Sequence, residues 1–108
     1  MVPQLHPIEL KRMLDTGAPV FLLDVRQPEE HETAALPNSK LIPLGELMTR
    51  AKEIEAWKDE DVVVYCHHGV RSLMAIGALR AMGFKKLHNL TGGIDAWSAK
   101  VDATVPRY

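Results

Sequence analysis

Short apolar runs alternate along this chain with segments whose apolar positions recur at helical spacing. Val20-Phe21-Leu22-Leu23-Asp24-Val25 is apolar on successive residues, the pattern of a parallel strand covered on both faces. Val62-Val63-Val64-Tyr65 repeats it, and Lys40-Leu41-Ile42 and Lys86-Leu87-His88-Asn89-Leu90 read as shorter strands. Between them lie helical signals. Pro7 to Asp15 has proline early and Gly17 just past its end, the usual punctuation of a helix. Pro28-Glu29-Glu30-His31-Glu32 reads as a polar helical turn. Leu44, Leu47, Met48, Ala51, Ile54 and Trp57 predict one helix from Leu44 to Trp57, followed by the charged turn Lys58-Asp59-Glu60-Asp61. Ser72 to Met82 reads as a helix stopped by Gly83, and Gly92-Gly93 precedes a last helix through Trp97. The tail from Lys100 to Tyr108 has no period and is expected to lie over the surface.

Strands and helices in alternation predict an α/β fold, a compact and mainly parallel sheet flanked by helices on both faces. The 108 residues form a single domain, 1–108, with room for a modest core. A hydrophobic content of 46% and a charged content of 25% are those of a soluble globule. The formal net charge of −1 argues against nucleic acid or membrane as a partner, and no apolar run approaches a membrane span. Met1-Val2-Pro3-Gln4 is not a basic region followed by an apolar one, so no secretory signal is expected. One cysteine forms no internal disulfide, which suits a reducing compartment and gives a cytoplasmic expectation.

That cysteine, Cys66, follows a strand and precedes a helix. Cys66-His67-His68-Gly69-Val70-Arg71 is a tight loop, and a thiol there faces unpaired backbone N–H groups and the positive end of the helix dipole. Both favour the thiolate, which is the nucleophile. Gly69 allows the amides to turn inward as an anion cradle, and Arg71 adds a positive charge. Asp24 and Arg26 also stand at a strand's carboxyl end, where ligands bind in such folds. They are expected beside Cys66, either pairing to brace the loops or touching substrate. Cys66, His67 and His68 are conceivable metal ligands, but consecutive residues of a tight loop converge poorly on one ion, and neither metal nor cofactor is expected. Gly92-Gly93 is a turn without assigned chemistry. Trp57 and Trp97 read as packing residues, and His6, His31 and His88 as ordinary surface or edge residues.

Cys66, four residues and Arg71, between a strand and a helix, resemble the active-site loop of the rhodanese (sulfurtransferase) family. Leu23-Asp24-Val25-Arg26-Gln27-Pro28-Glu29-Glu30 resembles that family's aspartate-valine-arginine segment. Leu41-Ile42-Pro43-Leu44 resembles its following short strand. Leu90-Thr91-Gly92-Gly93-Ile94-Asp95-Ala96-Trp97 resembles its closing glycine-glycine-tryptophan motif. The segments occur in the family's order over nearly the whole chain. One departs from it: Ala34-Ala35-Leu36-Pro37-Asn38-Ser39 stands where many relatives carry glycine-histidine-isoleucine-proline-glycine-alanine. The tail Val101 to Tyr108 resembles the end of rhodanese domains fused to sulfur-carrier adenylyltransferases.

The resemblance implies a sulfurtransferase. Cys66 takes the outer sulfur of a donor anion such as thiosulfate, or of a protein donor, and passes it as a persulfide to a thiol or cyanide acceptor. The loop amides of His67, His68, Gly69, Val70 and Ser72 stabilise the persulfide, Arg71 supports the loop charge and the leaving anion, and His67 and His68 line the mouth. A cysteine phosphatase or arsenate reductase on the same scaffold is the enzymatic alternative. The related dual-specificity phosphatases, however, have a loop one residue longer, and the smaller cradle suits one sulfur atom. A non-catalytic interaction module is the remaining alternative, against which Cys66 and Arg71 both speak.

Overall fold

The computed structural model describes residues 3–108. Its strands are β1 (Gln4–Leu5), β2 (Val20–Asp24), β3 (Lys40–Leu41), β4 (Asp61–Tyr65) and β5 (Lys86–Leu90). All pair in parallel, in the order β1-β5-β4-β2-β3. The helices are α1 (Pro7–Asp15), α2 (Pro28–Thr33), α3 (Leu47–Arg50), α4 (Arg71–Ala81) and α5 (Gly93–Lys100).

Side-chain alternation along the central strands builds two core layers. Val62, Val64 and Cys66 project to the side of α3 and α4, with Leu23, Val25, Leu47, Ile54, Ile76 and Leu79. Val63 and Tyr65 project to the other side, onto Leu10 of α1 and Ile94 and Trp97 of α5. Helices therefore cover both faces, as the uninterrupted apolar runs require. Each large side chain so buried contributes roughly 1.5–3 kcal/mol. β2 and β4 run in register from Val20 opposite Asp61 to Asp24 opposite Tyr65. Their carboxyl ends are thus level, and the Val25 N–H donates to the Tyr65 carbonyl at 3.2 Å. This delivers Asp24, Arg26 and Cys66 to one edge of the sheet. No helix among the described residues is long and apolar enough to cross a membrane.

The expected helix from Leu44 to Trp57 is not continuous. A 3-10 turn (Leu44–Glu46), the single turn α3 and a second 3-10 segment (Ala51–Trp57) replace it, and Ile54 has φ −117° and ψ 17°. Leu44 and Leu47, then Ala51, Ile54 and Trp57, are spaced by three residues. A 3-10 turn keeps such positions on one side, whereas an α-helix rotates them away. Strand β1 was not legible: two residues carry no period. The tail also departs from expectation. Val105 is buried against the α1 and α5 layer, and Tyr108 reaches the carboxyl edge of the sheet.

Candidate active site

Cys66 is free and buried. Its position follows from strand alternation: after Val62 and Val64, the next inward position on the α4 side is Cys66. There the chain leaves the sheet and turns into α4. Gly69 makes the turn with φ 104°, in the left-handed region glycine occupies at little cost. Its N–H points back to Cys66 Sγ at 3.1 Å. The Ser72 hydroxyl lies 3.6 Å from the sulfur and donates to Asn89 Oδ1. Asn89 Nδ2 in turn donates to Gln4 Oε1 at 3.0 Å. Burial pushes the Cys66 thiol up, but the Ser72 hydroxyl and the N–H groups of Ser72, Gly69 and Arg71 outweigh it. The thiol therefore sits below its ordinary value, because donors aimed at sulfur favour its charged form.

α5 holds the loop from behind. The N–H groups of Ile94 and Asp95 donate to the carbonyls of Cys66 and His67 at 2.9 and 3.1 Å. Gly93 has φ 63°, and a Cβ there would collide with both carbonyls. The Gly92-Gly93 pair thus has a structural task beyond a turn: it lets the last helix approach the Cys66 loop at backbone distance.

Asp24 and Arg26 are both fully buried and paired two-pronged, Arg26 Nε to Oδ1 at 2.9 Å and Nη2 to Oδ2 at 2.7 Å. Arg26 also donates to the Ala34 carbonyl, tying β2 to the segment after α2. Burial opposes its charge, but Asp24 and Tyr108 outweigh that and hold its pKa above the ordinary value. His31, expected as an ordinary surface residue, belongs to this network, with Nδ1 2.8 Å from Asp24 Oδ2. His88 likewise faces Asp61 at 2.9 Å.

The Arg71 side chain is engaged by a carboxylate. Its guanidinium grips Glu30 of α2 with Nη1–Oε1 at 2.7 Å and Nη2–Oε2 at 2.9 Å. That grip holds the Glu30 carboxyl down at about 2. The Arg71 backbone N–H serves the sulfur directly, and the guanidinium interacts with Cys66 through its charge. Tyr108 completes the arrangement: its hydroxyl accepts from Arg26 Nη1 at 2.6 Å and donates to Glu30 Oε2 at 2.8 Å. Its ring lies flat on His67, centroids 3.9 Å apart, and His67 stacks in turn on His68. Burial first, then His68, lowers the His67 pKa. His68 and Val70 are exposed. His67, His68 and Asp95 bring one donor atom each within 4.8 Å of one another. Arg107 occupies both oxygens of Asp95.

Glu30, Asn89, His31 and Tyr108 were not singled out from the sequence. Glu30 carried a signal, lying in the same segment as Arg26. His31 lies in that segment too, whereas Asn89 and Tyr108 are distant in the chain.

Comparison with known proteins agrees with this architecture. The profile of the family described as "Rhodanese-like domain" matches residues 6–100. The chain is 42% identical over 97 residues to rhodanese-like/PpiC domain-containing protein 12, chloroplastic, of Arabidopsis thaliana; the match covers 83% of this chain and 32% of that protein. It is 36% identical over 98 residues to a sulfurtransferase of Allochromatium vinosum, covering 91% of this chain and 90% of the relative. A crystal structure of a rhodanese-like domain protein from Staphylococcus aureus superposes with a TM-score of 0.84 at 31% identity, covering 99% of each chain. The chain therefore spans about a third of the plant protein and nearly all of the other two.

Proposed function

We propose that this chain, which belongs to the rhodanese-like family of sulfurtransferases, moves sulfane sulfur through a persulfide on Cys66. The observation that carries the reading is the sulfur itself: a buried thiol with the Gly69 N–H at 3.1 Å and a pKa held below its ordinary value. The Cys66 thiolate attacks the outer sulfur of a donor, thiosulfate or another persulfide. A new S–S bond forms, the donor's S–S bond breaks, and the electron pair leaves with sulfite or with the donor thiolate. An acceptor thiolate or cyanide then attacks the outer sulfur and returns Cys66 as thiolate. No oxidant or added proton is required in either half.

In this reading the amides of the loop from His67 to Ser72 stabilise the charge on the outer sulfur, as an oxyanion hole stabilises oxygen. Asp24 and Arg26 brace the loops rather than touch substrate, since both are fully buried and satisfied by each other. His67 and His68 form the mouth. A lone working thiol functions in a reducing compartment, and the cytoplasm is the proposed location. The test is intact mass spectrometry after incubation with donors. Wild type is expected to gain one sulfur, removable by cyanide, and Cys66→Ser none. Sulfur uptake that survives in Cys66→Ser refutes the reading.

A further inference from the structure

We infer that Glu30 is a specificity-determining residue that fixes the donor class of this site: a persulfide carried on an organic thiol, in preference to the free thiosulfate dianion. The inference rests on the sulfurtransferase reading above and narrows its donor. A dianion that must be drawn to a buried thiolate needs positive charge at the mouth. The chain supplies two guanidinium groups there, and each is held by both oxygens of a carboxylate, Arg71 by Glu30 and Arg107 by Asp95; Arg26, buried behind them, is held in the same way by Asp24. Each of these cations is thus engaged by an anion, which weakens the pull of the rim on a dianion.

Of these pairs, Arg71–Glu30 alone joins the catalytic loop to a separate element. Arg26 is fully buried and serves the scaffold. Arg107 is on the tail. Arg71 is the cation that begins α4 beside the thiol, and Glu30 holds it from 41 residues away in sequence. Glu30 is itself fixed: it accepts the Gln27 N–H at 3.0 Å in the capping box of α2, and the Tyr108 hydroxyl. A sulfonate that sought Arg71 would have to displace a preorganised two-pronged partner. His67 adds no charge near neutrality, with its pKa lowered below the ordinary histidine value.

A second observation concerns the rim's uncharged part. Val70, within the loop and next to Arg71, is exposed at 69%. An inorganic anion makes no use of apolar surface, whereas the carbon body of an organic persulfide does. In the transfer, the thiolate attacks the outer sulfur of R–S–SH, the Cys66–sulfur bond forms, the donor's S–S bond breaks, and RS⁻ departs with the electron pair. The leaving group is then a thiolate on carbon, and Arg71 need not hold it.

The test compares thiosulfate with the persulfide of N-acetylcysteine methyl ester, whose only acidic group is the persulfide, on wild type and Glu30→Gln. The one oxygen of glutamine retains the capping-box acceptor for the Gln27 N–H, its NH2 group stands where Glu30 Oε2 accepts from Tyr108, and the charge is removed. In Glu30→Gln, kcat/KM for thiosulfate is expected to rise about tenfold, chiefly through KM, the lower end of what electrostatic steering gives. The organic persulfide is expected not to gain, so that the ratio of the two kcat/KM values shifts toward thiosulfate by about tenfold or more. In wild type, thiosulfate kcat/KM is expected to stay within about twofold between roughly 0.01 M and 0.15 M salt, over which screening shortens from about 30 to about 8 Å. In the variant it is expected to fall with salt. Unchanged thiosulfate kinetics in a folded Glu30→Gln, or a steep fall with salt in wild type, overturns the assignment. Should Glu30→Gln not fold, the wild-type salt profile decides alone. If neither donor adds sulfur to Cys66 by mass, it is the sulfurtransferase reading that fails instead.

Discussion

Ser72→Ala tests how the thiolate is held. The Ser72 hydroxyl has one proton and two neighbours that want it. With Cys66 protonated, the thiol donates to Ser72 Oγ across 3.6 Å, Ser72 donates to Asn89 Oδ1, and Asn89 Nδ2 donates to Gln4 Oε1. When Cys66 ionises, sulfur becomes an acceptor and the hydroxyl proton turns toward it. A hydrogen bond to a charged group stabilises by about 1.5–3 kcal/mol, and the neutral bond given up at Asn89 costs about 1 kcal/mol. The difference, roughly 0.5–2 kcal/mol, corresponds to about one pKa unit. Ser72→Ala is therefore expected to raise the Cys66 pKa by about one unit. It also leaves Asn89, 3% exposed, without its donor, at a cost of about 1–3 kcal/mol in stability. The assay is the rate of iodoacetamide alkylation against pH, with urea denaturation alongside. Asn89→Ala supplies the opposite sign: it frees the Ser72 proton for sulfur, and the thiol pKa is expected to fall. An unchanged pKa in Ser72→Ala would show that the proton stays on Asn89 and that the backbone amides alone hold the charge.

Four further outcomes follow from the same geometry. Wild-type Cys66 is expected to titrate below the free value of about 8.5, read as the midpoint of the alkylation profile; a midpoint at or above that value refutes the donor set. Gly93→Ala forces a side chain onto a left-handed backbone and against two carbonyls, so denaturant unfolding is expected to show a loss of about 2–3 kcal/mol. Asp24→Asn leaves Arg26 buried without its counter-charge and is expected to cost about 3–5 kcal/mol, whereas Arg107→Ala, an exposed pair, is expected to cost less than about 1 kcal/mol. Glu30 is depressed to about 2, so its contribution is complete above the unfolded glutamate value of about 4.3. That contribution is lost as pH falls from there through about 2; wild type is expected to lose about 1–2 kcal/mol over this window, and Glu30→Gln not to show that loss.

The central strands were legible because burial on both faces leaves no alternative to an unbroken apolar run. β2 and β4 were therefore placed within a residue or two, and with them the edge where Asp24, Arg26 and Cys66 meet. The segment from Leu44 to Trp57 misled because a spacing of three is compatible with an amphipathic α-helix until the surface beneath it is known. The partner of Arg71 was not legible for a related reason. Local sequence put a cation beside the thiol, but its partner Glu30 lies on α2, and only β2 next to β4 brings them together. Tyr108 gave no signal, since a single residue in an aperiodic tail has no pattern to reveal that its hydroxyl bridges Arg26 and Glu30.

The placement of the distant segments explains why a loop of six residues needs most of the chain. The loop's amides can stabilise charge only if they stay turned inward, a conformation that exposes its carbonyls outward and has no stabilising partner of its own. α5 provides partners for two of those carbonyls, and it reaches them only because Gly93 lacks a Cβ. α2 fixes the loop's end through Glu30 and Arg71, and α2 is in turn tied to the sheet by Arg26 through the Ala34 carbonyl and Tyr108. Asn89 on β5 fixes Ser72, and β5 is next to β4. α5, α2 and β5 thus each hold part of the loop or of the helix turn it enters. The sulfur meets donors already in position, and little reorganisation is left when it takes on charge.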